Sequence, residues 1–352
     1  MPVATPLRAL LGNRKHSPLD RKHASVYASA GALLVAAVLV LPARAADLGP
    51  ATSALMQGEA DSAIALLHPI LAANPHDGEA HLLLCRTFYA QENANAAAPE
   101  CAAALKTLSH DSAAQDWAGR AFGLQANNAG RVTGLRLALK VRAAFEAAFR
   151  LDPHNSDAVN DLSEYYIDAP TVIGGGFDRA AHLADLVEST LPEDAHRIRA
   201  LSAEKQNDLP AAGREFRSAA AVANRPGAWA DLGAFYARHN QFDQSVDALR
   251  RAIALDRAHD ASLVDAATTL TGIHREPRLA ERALRDYLAS RNKSDAAPAF
   301  RVHVTLARLL RDQGNTAEAK IELEKALELA SGYAPARNDL SALEQHASTQ
   351  TR

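Results

Sequence analysis

The chain has 352 residues, of which 48% are apolar but only 5% aromatic, and its 38 Lys and Arg stand against 41 Asp and Glu. This length exceeds one ordinary hydrophobic core, so it predicts either two compact domains or one elongated array. Alanine and leucine supply most of the apolar residues, and β-branched runs with a period of two are nearly absent. The composition therefore favours an all-α chain.

The first 45 residues differ in composition from the rest of the chain. Basic residues between Arg14 and Lys22 precede an apolar run from Ala30 to Leu41, and the small-x-small triplet Ala43-Arg44-Ala45 follows. This order is typical of a secretory signal peptide, so we expect cleavage after Ala45 and a periplasmic or secreted protein. The alternative is an uncleaved inner-membrane anchor, because Ala24 to Leu41 is almost long enough to cross a bilayer.

Removal of residues 1–45 changes the charge of the chain. That segment holds six Lys and Arg and one Asp, so 32 basic residues remain against 40 acidic ones, a net charge of −8. An acidic body argues against nucleic acid and anionic membrane surfaces as partners. No stable membrane span is expected after cleavage.

The segment Pro226 to Arg257 shows the pattern that organises the rest of the chain. Large and small side chains alternate at helical spacing, first at Trp229, Leu232, Gly233 and Tyr236, then at Phe242, Ser245, Leu249 and Ala252. The spacing predicts two antiparallel helices that interlock around a short turn. The order resembles the tetratricopeptide repeat. This resemblance implies a right-handed superhelical solenoid of antiparallel helix pairs, with one concave and one convex face.

Units of about 34 residues continue this pattern from residue 46 to residue 346, which gives seven to eight repeats. They begin at Arg44, Gly78, Ser112, Ser156, Ala195, Pro226, Asp260 and Phe300. A last helix, Ala334 to His346, carries polar residues on its outer side and is expected to cap the array. Residues 347–352 are expected to form a disordered tail.

Three units depart from the regular length. The unit from Ser112 has ten extra residues after a turn signal, which predicts a second helix that begins near Val132. The unit from Ser156 has five extra residues in its turn, between Asp168 and Gly176. The unit from Ala195 is shorter, with 31 residues, and Pro192 is expected to close the unit before it.

The run Gly174-Gly175-Gly176 has two interpretations. Backbone N–H groups of successive glycines before a helix can bind a carboxylate or phosphate. Alternatively, the glycines form a turn that lets an enlarged loop pass between two helices. The surrounding segment resembles exported bacterial tetratricopeptide proteins with a Gly-rich loop at this point, a resemblance that implies no specific biochemical function.

The resemblance also bears on the two cysteines, Cys85 and Cys101. They occupy positions 8 and 24 of one unit, and in the family these positions face each other where the two helices approach closely. A disulfide is therefore expected, provided that the Cα atoms lie within about 7 Å. The alternative is two buried free cysteines that act as small hydrophobic residues.

The concave face is the predicted binding site. The family's inward positions (2, 5, 6, 9, 12 and 13) correspond here to Arg86, Tyr89, Trp117, Arg120, Asn160, Asp161, Glu164, Asp231 and Arg238. Aromatic and Arg side chains dominate binding hot spots, so those nearest the N-terminus are candidate anchors. Trp117 has the alternative role of a core residue.

The sequence contains no motif for catalysis, for a metal or for a cofactor. It lacks a nucleophile elbow and a phosphate-binding loop, and its 14 His do not show the spacing of metal ligands. The sequence thus favours a non-enzymatic, extracytoplasmic scaffold that binds a protein or peptide. The alternative is an envelope transport or assembly component that binds a small solute or lipid within the superhelix. Hydrolase activity would require a pocket that brings distant groups together.

Overall fold

A computed structural model describes residues 47–350, so the predicted signal peptide at residues 1–45 lies outside the described residues. The described residues belong to one compact unit. Within that range every regular element is helical, and no strand is present. None of the helices described is both long enough and apolar enough to cross a membrane.

Seventeen α-helices follow one another through the described range. They are α1 Gly49–Gln57, α2 Ala60–Ala73, α3 Gly78–Ala90, α4 Ala94–Ala104, α5 Ser112–Asn127, α6 Arg131–Leu151, α7 Ser156–Asp168, α8 Phe177–Val187, α9 Pro192–Lys205, α10 Leu209–Ala223, α11 Pro226–Arg238, α12 Phe242–Leu255, α13 Ala261–Gly272, α14 Pro277–Ala289, α15 Ala299–Asp312, α16 Thr316–Leu329 and α17 Ala334–Gln350. A 3₁₀ turn, Thr171–Ile173, lies between α7 and α8. Consecutive helices form eight pairs from α1/α2 to α15/α16, with α17 packed on the last pair. This all-α repeat array is the predicted architecture.

Helix boundaries follow local chemistry. Helix α6 begins at Arg131, one residue before the expected start, because Asn128 to Gly130 interrupt the preceding helix. Helix α9 begins at Pro192, three residues before the expected start at Ala195. Proline lacks an N–H and suits the first helical position, so Pro192 opens this helix instead of closing the unit before it. Helix α17 continues to Gln350, since no Gly or Pro follows its expected end at His346.

The two helices of a pair approach most closely at one recurring position. A Cβ atom on Gly233 of α11 would lie 2.5 Å from a methyl carbon of Leu249 on α12, so this contact requires glycine. The equivalent positions of the pair α3/α4 hold Cys85 and Cys101. These cysteines form a disulfide, with their Cα atoms 5.2 Å apart. At this position the disulfide thus takes the place of a contact between a small and a large side chain, such as that between Gly233 and Leu249.

The first helix of each pair lies on the inner side of the curve. Contacts join α1 with α3, α3 with α5, α5 with α7, and α7 with α9, and the same relation joins α11, α13 and α15. Successive second helices make no comparable contacts within the described range. Elements on the inside of a curved array lie closer together, so the first helices line the concave face.

The two ends of the array touch, so that the array closes on itself. Helix α2 contacts α16, although about 260 residues separate them in the chain. At the end of α1, a Cβ atom added to Gly58 would lie 2.3 Å from the backbone nitrogen of Ala299, the first residue of α15. The backbone N–H of Ser331 donates to Asp61 Oδ2 at 2.8 Å. We call this contact of α1–α3 with α15–α16 the closure contact.

An apolar centre and a polar rim make up the closure contact. Ala60 and Ala90 from the first pairs belong to the same buried cluster as Phe300 and Tyr333 from the end of the array. The rim consists of Arg86 Nε to Asp295 Oδ2 (2.8 Å), Arg301 Nη2 to Glu92 Oε1 (2.6 Å) and Lys293 Nζ to Gln57 Oε1 (3.2 Å). As a result, the concave face becomes the inner wall of a closed ring.

Candidate binding groove on the inner face

Two adjoining cavities lie on the inner wall, with volumes of about 670 and 380 Å³. The larger cavity lies between α7, α9 and α11, and the smaller one lies mainly between α5, α6 and α7. Glu164 and Asp168 on α7 line both of them. We call the combined depression the inner groove. Its wall contains several of the residues predicted from the inward repeat positions.

Arg197 on α9 organises the middle of the inner groove. Its Nη2 donates to Glu164 Oε1 at 2.8 Å, its Nη1 to Asn160 Oδ1 at 3.0 Å, and its Nε to Asp231 Oδ2 at 3.1 Å. Asn160 is fixed further by a hydrogen bond from its amide to Asp194 Oδ1 at 3.0 Å. One guanidinium therefore holds three predicted site residues from two neighbouring pairs in a fixed arrangement.

Glu204 on α9 forms the second polar centre of the groove. Arg238 binds its carboxylate with two parallel hydrogen bonds, each 2.8 Å long, and His239 Nε2 lies 2.8 Å from Glu204 Oε1. Burial alone would raise the pKa of Glu204, but these hydrogen bonds outweigh burial and hold that pKa below its usual value. Glu204 is therefore ionised in the groove at neutral pH.

Arg197 and Glu204 were not predicted from the sequence, and the reason is the register of one repeat. With the unit placed at Ala195, neither residue falls on an inward position. Because α9 begins at Pro192, the unit starts at Glu193, which puts Arg197 at position 5 and Glu204 at position 12. Both are inward positions. Pro192 marks the start of this repeat in the sequence, but the expected register places it at the end of the preceding repeat.

A cluster of one arginine and three carboxylates lies at the α5 end of the groove. Arg120 binds Asp161 directly, its Nε lies 3.1 Å from Asp116 Oδ2, and its Nη2 lies 3.9 Å from Asp157. Asp116 is buried, and its Oδ1 has no hydrogen-bond partner. Burial and the neighbouring negative charge of Asp161 raise the pKa of Asp116 to about 8. At neutral pH Asp116 therefore keeps its proton.

This cluster gives the stability of the protein a defined pH dependence. The pKa of Asp116 is raised in the folded state, so its contribution to stability is present at low pH and is lost as pH rises from about 4 to about 8. The loss has a slope of up to about 1.4 kcal/mol per pH unit. In Asp116→Asn, which stays neutral at every pH, we expect this slope to disappear and stability at pH 8 to exceed that of the wild type. Urea unfolding across this pH window measures the slope.

Asp157→Asn is the matched control, because Asp157 contacts the same arginine but is exposed to solvent. We expect it to keep most of the wild-type slope, because Asp157 contributes less than burial and Asp161 to the raised pKa of Asp116. A wild-type profile in Asp116→Asn, or the same flattening in both variants, would contradict the assignment of the proton to Asp116.

Trp117, a predicted anchor, serves mainly as a platform for neighbouring side chains. The guanidinium carbons of Arg86 and Arg120 lie 5.2 and 4.6 Å from its ring centroid, within the range of cation–π contacts. Tyr89 packs edge-on against the same ring, with centroids 5.5 Å apart. Arg86 also reaches Asp295 in the closure contact. The predicted residues Arg86 and Trp117 thus support the wall, whereas Tyr89 and Arg120 line the smaller cavity.

The Gly-rich loop uses its N–H groups internally. Gly174 N–H donates to Thr171 O, Gly175 N–H to Pro170 O, and Gly176 N–H to Tyr166 O, at distances from 2.7 to 3.2 Å. The last of these interactions folds the loop against the end of α7. Gly174 and Gly176 have φ values of +92° and +144°, which glycine adopts readily. The geometry therefore favours the structural interpretation of this loop over an anion site.

Residues 54–119 and 300–333 each match a family model described as the tetratricopeptide repeat. A search of curated proteins found no match to this chain. Among the residues described, no group of three or more His, Cys, Asp or Glu side chains is arranged to hold a metal ion.

A comparison with solved structures gives, among others, two matches of low similarity. One is yeast Tom70, with 17% identity and a TM-score of 0.49, where the match covers 88% of this chain and 66% of Tom70. The other belongs to the Cut9–Hcn1 hetero-tetramer of APC/C, with 13% identity and a TM-score of 0.39, where the match covers 82% of this chain and 53% of the other. The chain therefore spans between half and two thirds of these longer proteins.

Proposed function

Since this chain is a tetratricopeptide-repeat protein, we propose that it is a non-enzymatic scaffold that binds a protein or peptide in the inner groove. The observation that carries the proposal is the chemistry of the groove wall. Glu164, Arg197, Glu204 and Arg238 present fixed charged groups of both signs along the larger cavity. Such a surface suits the amides and charged side chains of an extended peptide.

The same chemistry disfavours the alternative of a lipid or small apolar solute. An apolar inner surface around Trp117 and Gly174 would favour that function, whereas a charged groove favours a peptide. The Trp117 ring is flanked by Arg86 and Arg120, and Gly174 is covered by the side chain of Arg142. Desolvation of these charged groups by an acyl chain would cost several kcal/mol for each ion. A peptide ligand can replace the hydration of these charges with its own hydrogen bonds.

Two arginines on α9 give a matched test. Arg197 lies in the groove and binds Glu164 and Asp231, whereas Arg199 binds Asp185 and Glu188 outside it. We expect Arg197→Ala to weaken partner binding at least about tenfold, which is ~1.4 kcal/mol, because the arrangement of the wall is lost. We expect Arg199→Ala to leave binding unchanged.

Binding of the partner can be measured by cross-linking to Lys205, which lies in the groove wall. An amine-reactive cross-linker applied to the native protein in its envelope, followed by mass spectrometry, should attach partner peptides to Lys205. The attachment should be lost in Arg197→Ala and kept in Arg199→Ala. Equal yields from both variants would refute the groove as the binding site, and a bound small molecule without any protein partner would favour the alternative function.

We also propose that the protein is exported and acts in the periplasm or outside the cell. The order of charged and apolar residues before Ala45 supports this location, and so does the disulfide between Cys85 and Cys101, because disulfides persist in oxidising compartments. N-terminal sequencing of the protein recovered from the cell envelope tests the proposal. A chain that begins at Ala46 supports cleavage, whereas an intact N-terminus in the membrane fraction supports the anchor alternative.

A further inference from the structure

The first three turns of α6 expose apolar side chains to solvent on one side of the helix. This part of the helix is built from the ten extra residues of the third repeat, the unit from Ser112. Val132 is 77% exposed, Leu135 51% and Leu139 44%. The same helix buries Leu137, Val141 and Phe145 on the side that packs against α5 and α7.

The exposed apolar residues share one face of the helix. Steps of three and four residues separate Val132, Leu135 and Leu139, which is the spacing of neighbours along a helical stripe. This stripe lies on the opposite side of the helix from Leu137 and Val141. Helix α6 therefore has two apolar faces, and only one of them is used in the core.

Basic residues flank the exposed stripe. The segment 131–145 contains four basic residues, namely Arg131, Arg136, Lys140 and Arg142, and it contains no Asp or Glu. Arg131 and Arg136 are exposed, and within the described residues no carboxylate forms an ion pair with either. The net charge of −8 argued against an anionic surface as a partner, but that average conceals this local basic segment. The sequence-based exclusion therefore does not hold for α6.

The loop inserted into the next repeat adds to the same surface. The carbonyl oxygen of Ile173 accepts a hydrogen bond from Arg142 Nη1 at 3.3 Å, which fixes the 3₁₀ turn beside α6. Its neighbour Val172 is 85% exposed. Thus the two insertions that interrupt the regular repeats pack against each other, and both present apolar side chains to solvent.

We propose that this surface, formed by α6 residues 131–142 and Val172, docks on an anionic phospholipid membrane. In this arrangement α6 lies in the plane of the membrane, and its apolar stripe enters the boundary between headgroups and acyl chains. Arg131, Arg136 and Lys140 beside the stripe reach the phosphate groups. The apolar stripe, with cations on both sides, is complementary to a membrane surface, where phosphate groups lie above the hydrocarbon of the acyl chains. This complementarity favours lipid over another partner. The exposed stripe lies on the opposite side of α6 from Val141 and Phe145, which line the smaller cavity of the inner groove, so a bound partner stays accessible.

The test uses residues 46–352, which form a compact unit of their own and lack the apolar N-terminal segment. Co-sedimentation is measured with vesicles of phosphatidylcholine alone and with an equimolar mixture of phosphatidylcholine and phosphatidylglycerol. We expect binding to the mixed vesicles that weakens with added salt, and little binding to phosphatidylcholine alone. Arg131→Gln combined with Arg136→Gln should lower the partition coefficient roughly 25-fold, because each surface cation contributes about fivefold.

Leu135→Glu combined with Leu139→Glu should abolish vesicle binding. The matched control is Leu186→Glu with Val222→Glu, since these residues are similarly exposed, at 54% and 53%, but lie on α8 and α10. This control should bind as the wild type does. The proposal is wrong if the wild-type protein does not bind the mixed vesicles, or if the test and control variants bind them equally. If the α6 variants instead change the mass in analytical ultracentrifugation, the surface joins two copies of the chain and the lipid proposal is wrong.

Discussion

Replacing Gly58 with alanine is expected to open the ring and to lower the free energy of unfolding by about 2–5 kcal/mol. Two effects add at this position. Gly58 has φ +76°, where an L-residue costs about 1–2 kcal/mol. In addition, the new Cβ would lie 2.3 Å from the backbone nitrogen of Ala299, and a backbone atom cannot rotate away as a side chain can. The strain is relieved only if α15 moves away from α1.

Gly314 provides the control for this experiment. Its φ is +85°, close to that of Gly58, but a Cβ added there meets nothing within 4 Å. Gly314→Ala should therefore show only the backbone cost, and the difference between the two variants isolates the closure contact. Small-angle scattering should report a larger radius of gyration for Gly58→Ala alone. Equal stability losses with unchanged dimensions in both variants would show that the ends of the array do not depend on this contact.

The apolar centre contributes more to the closure than its ion pairs do. The pair Arg301–Glu92 is partly exposed, and such pairs typically contribute about 0–1 kcal/mol. Phe300, in contrast, is almost fully buried beside Ala60 and Ala90, and burial of one such side chain contributes about 1.5–3 kcal/mol. Added salt should therefore leave the ring closed, while changes at its apolar centre open it.

The sequence predicted those features that depend on contacts within one repeat. The start of α6 follows from the turn signal before it, and the position of Cys85 opposite Cys101 follows from the repeat register. The same register places Asn160, Asp161 and Glu164 on the inner face of α7. Each of these features involves residues less than one repeat away, so a local pattern determines it.

The closure contact could not be predicted in this way. Whether α2 reaches α16 depends on small rotations that accumulate over every pair between them, and no local pattern encodes their sum. An error in the register of one repeat can also hide residues of the binding site. A shift of two residues in the unit of α9 was enough to hide Arg197 and Glu204, although both helices of that unit were predicted. The basic segment of α6 was missed because net charge was counted over the whole chain.

Removal of the disulfide is expected to lower the free energy of unfolding by about 3 kcal/mol, the value for a loop of about 15 residues. Cys85 and Cys101 are separated by 16 residues and are fully buried. The bond restricts the unfolded chain, and it also joins α3 to α4 at their closest approach. The experiment compares the wild type with Cys85→Ala combined with Cys101→Ala in denaturant unfolding, each with and without a thiol reductant.

The reductant separates the loss of the bond from the loss of the sulfur atoms. Reduced wild type keeps both sulfurs, so it should lose most of the ~3 kcal/mol, whereas the double alanine variant should not respond to reductant at all. Hydrogen exchange should then rise in α3 and α4 but not in α11 and α12. Because Arg86 follows Cys85 and reaches Asp295, reduction should also loosen the closure contact, which exchange in α15 would report. Two free thiols in unfolded, unreduced wild-type protein, together with a free energy of unfolding that reductant does not change, would contradict the disulfide. If hydrogen exchange rises only in α3 and α4, the disulfide does not stabilise the closure contact.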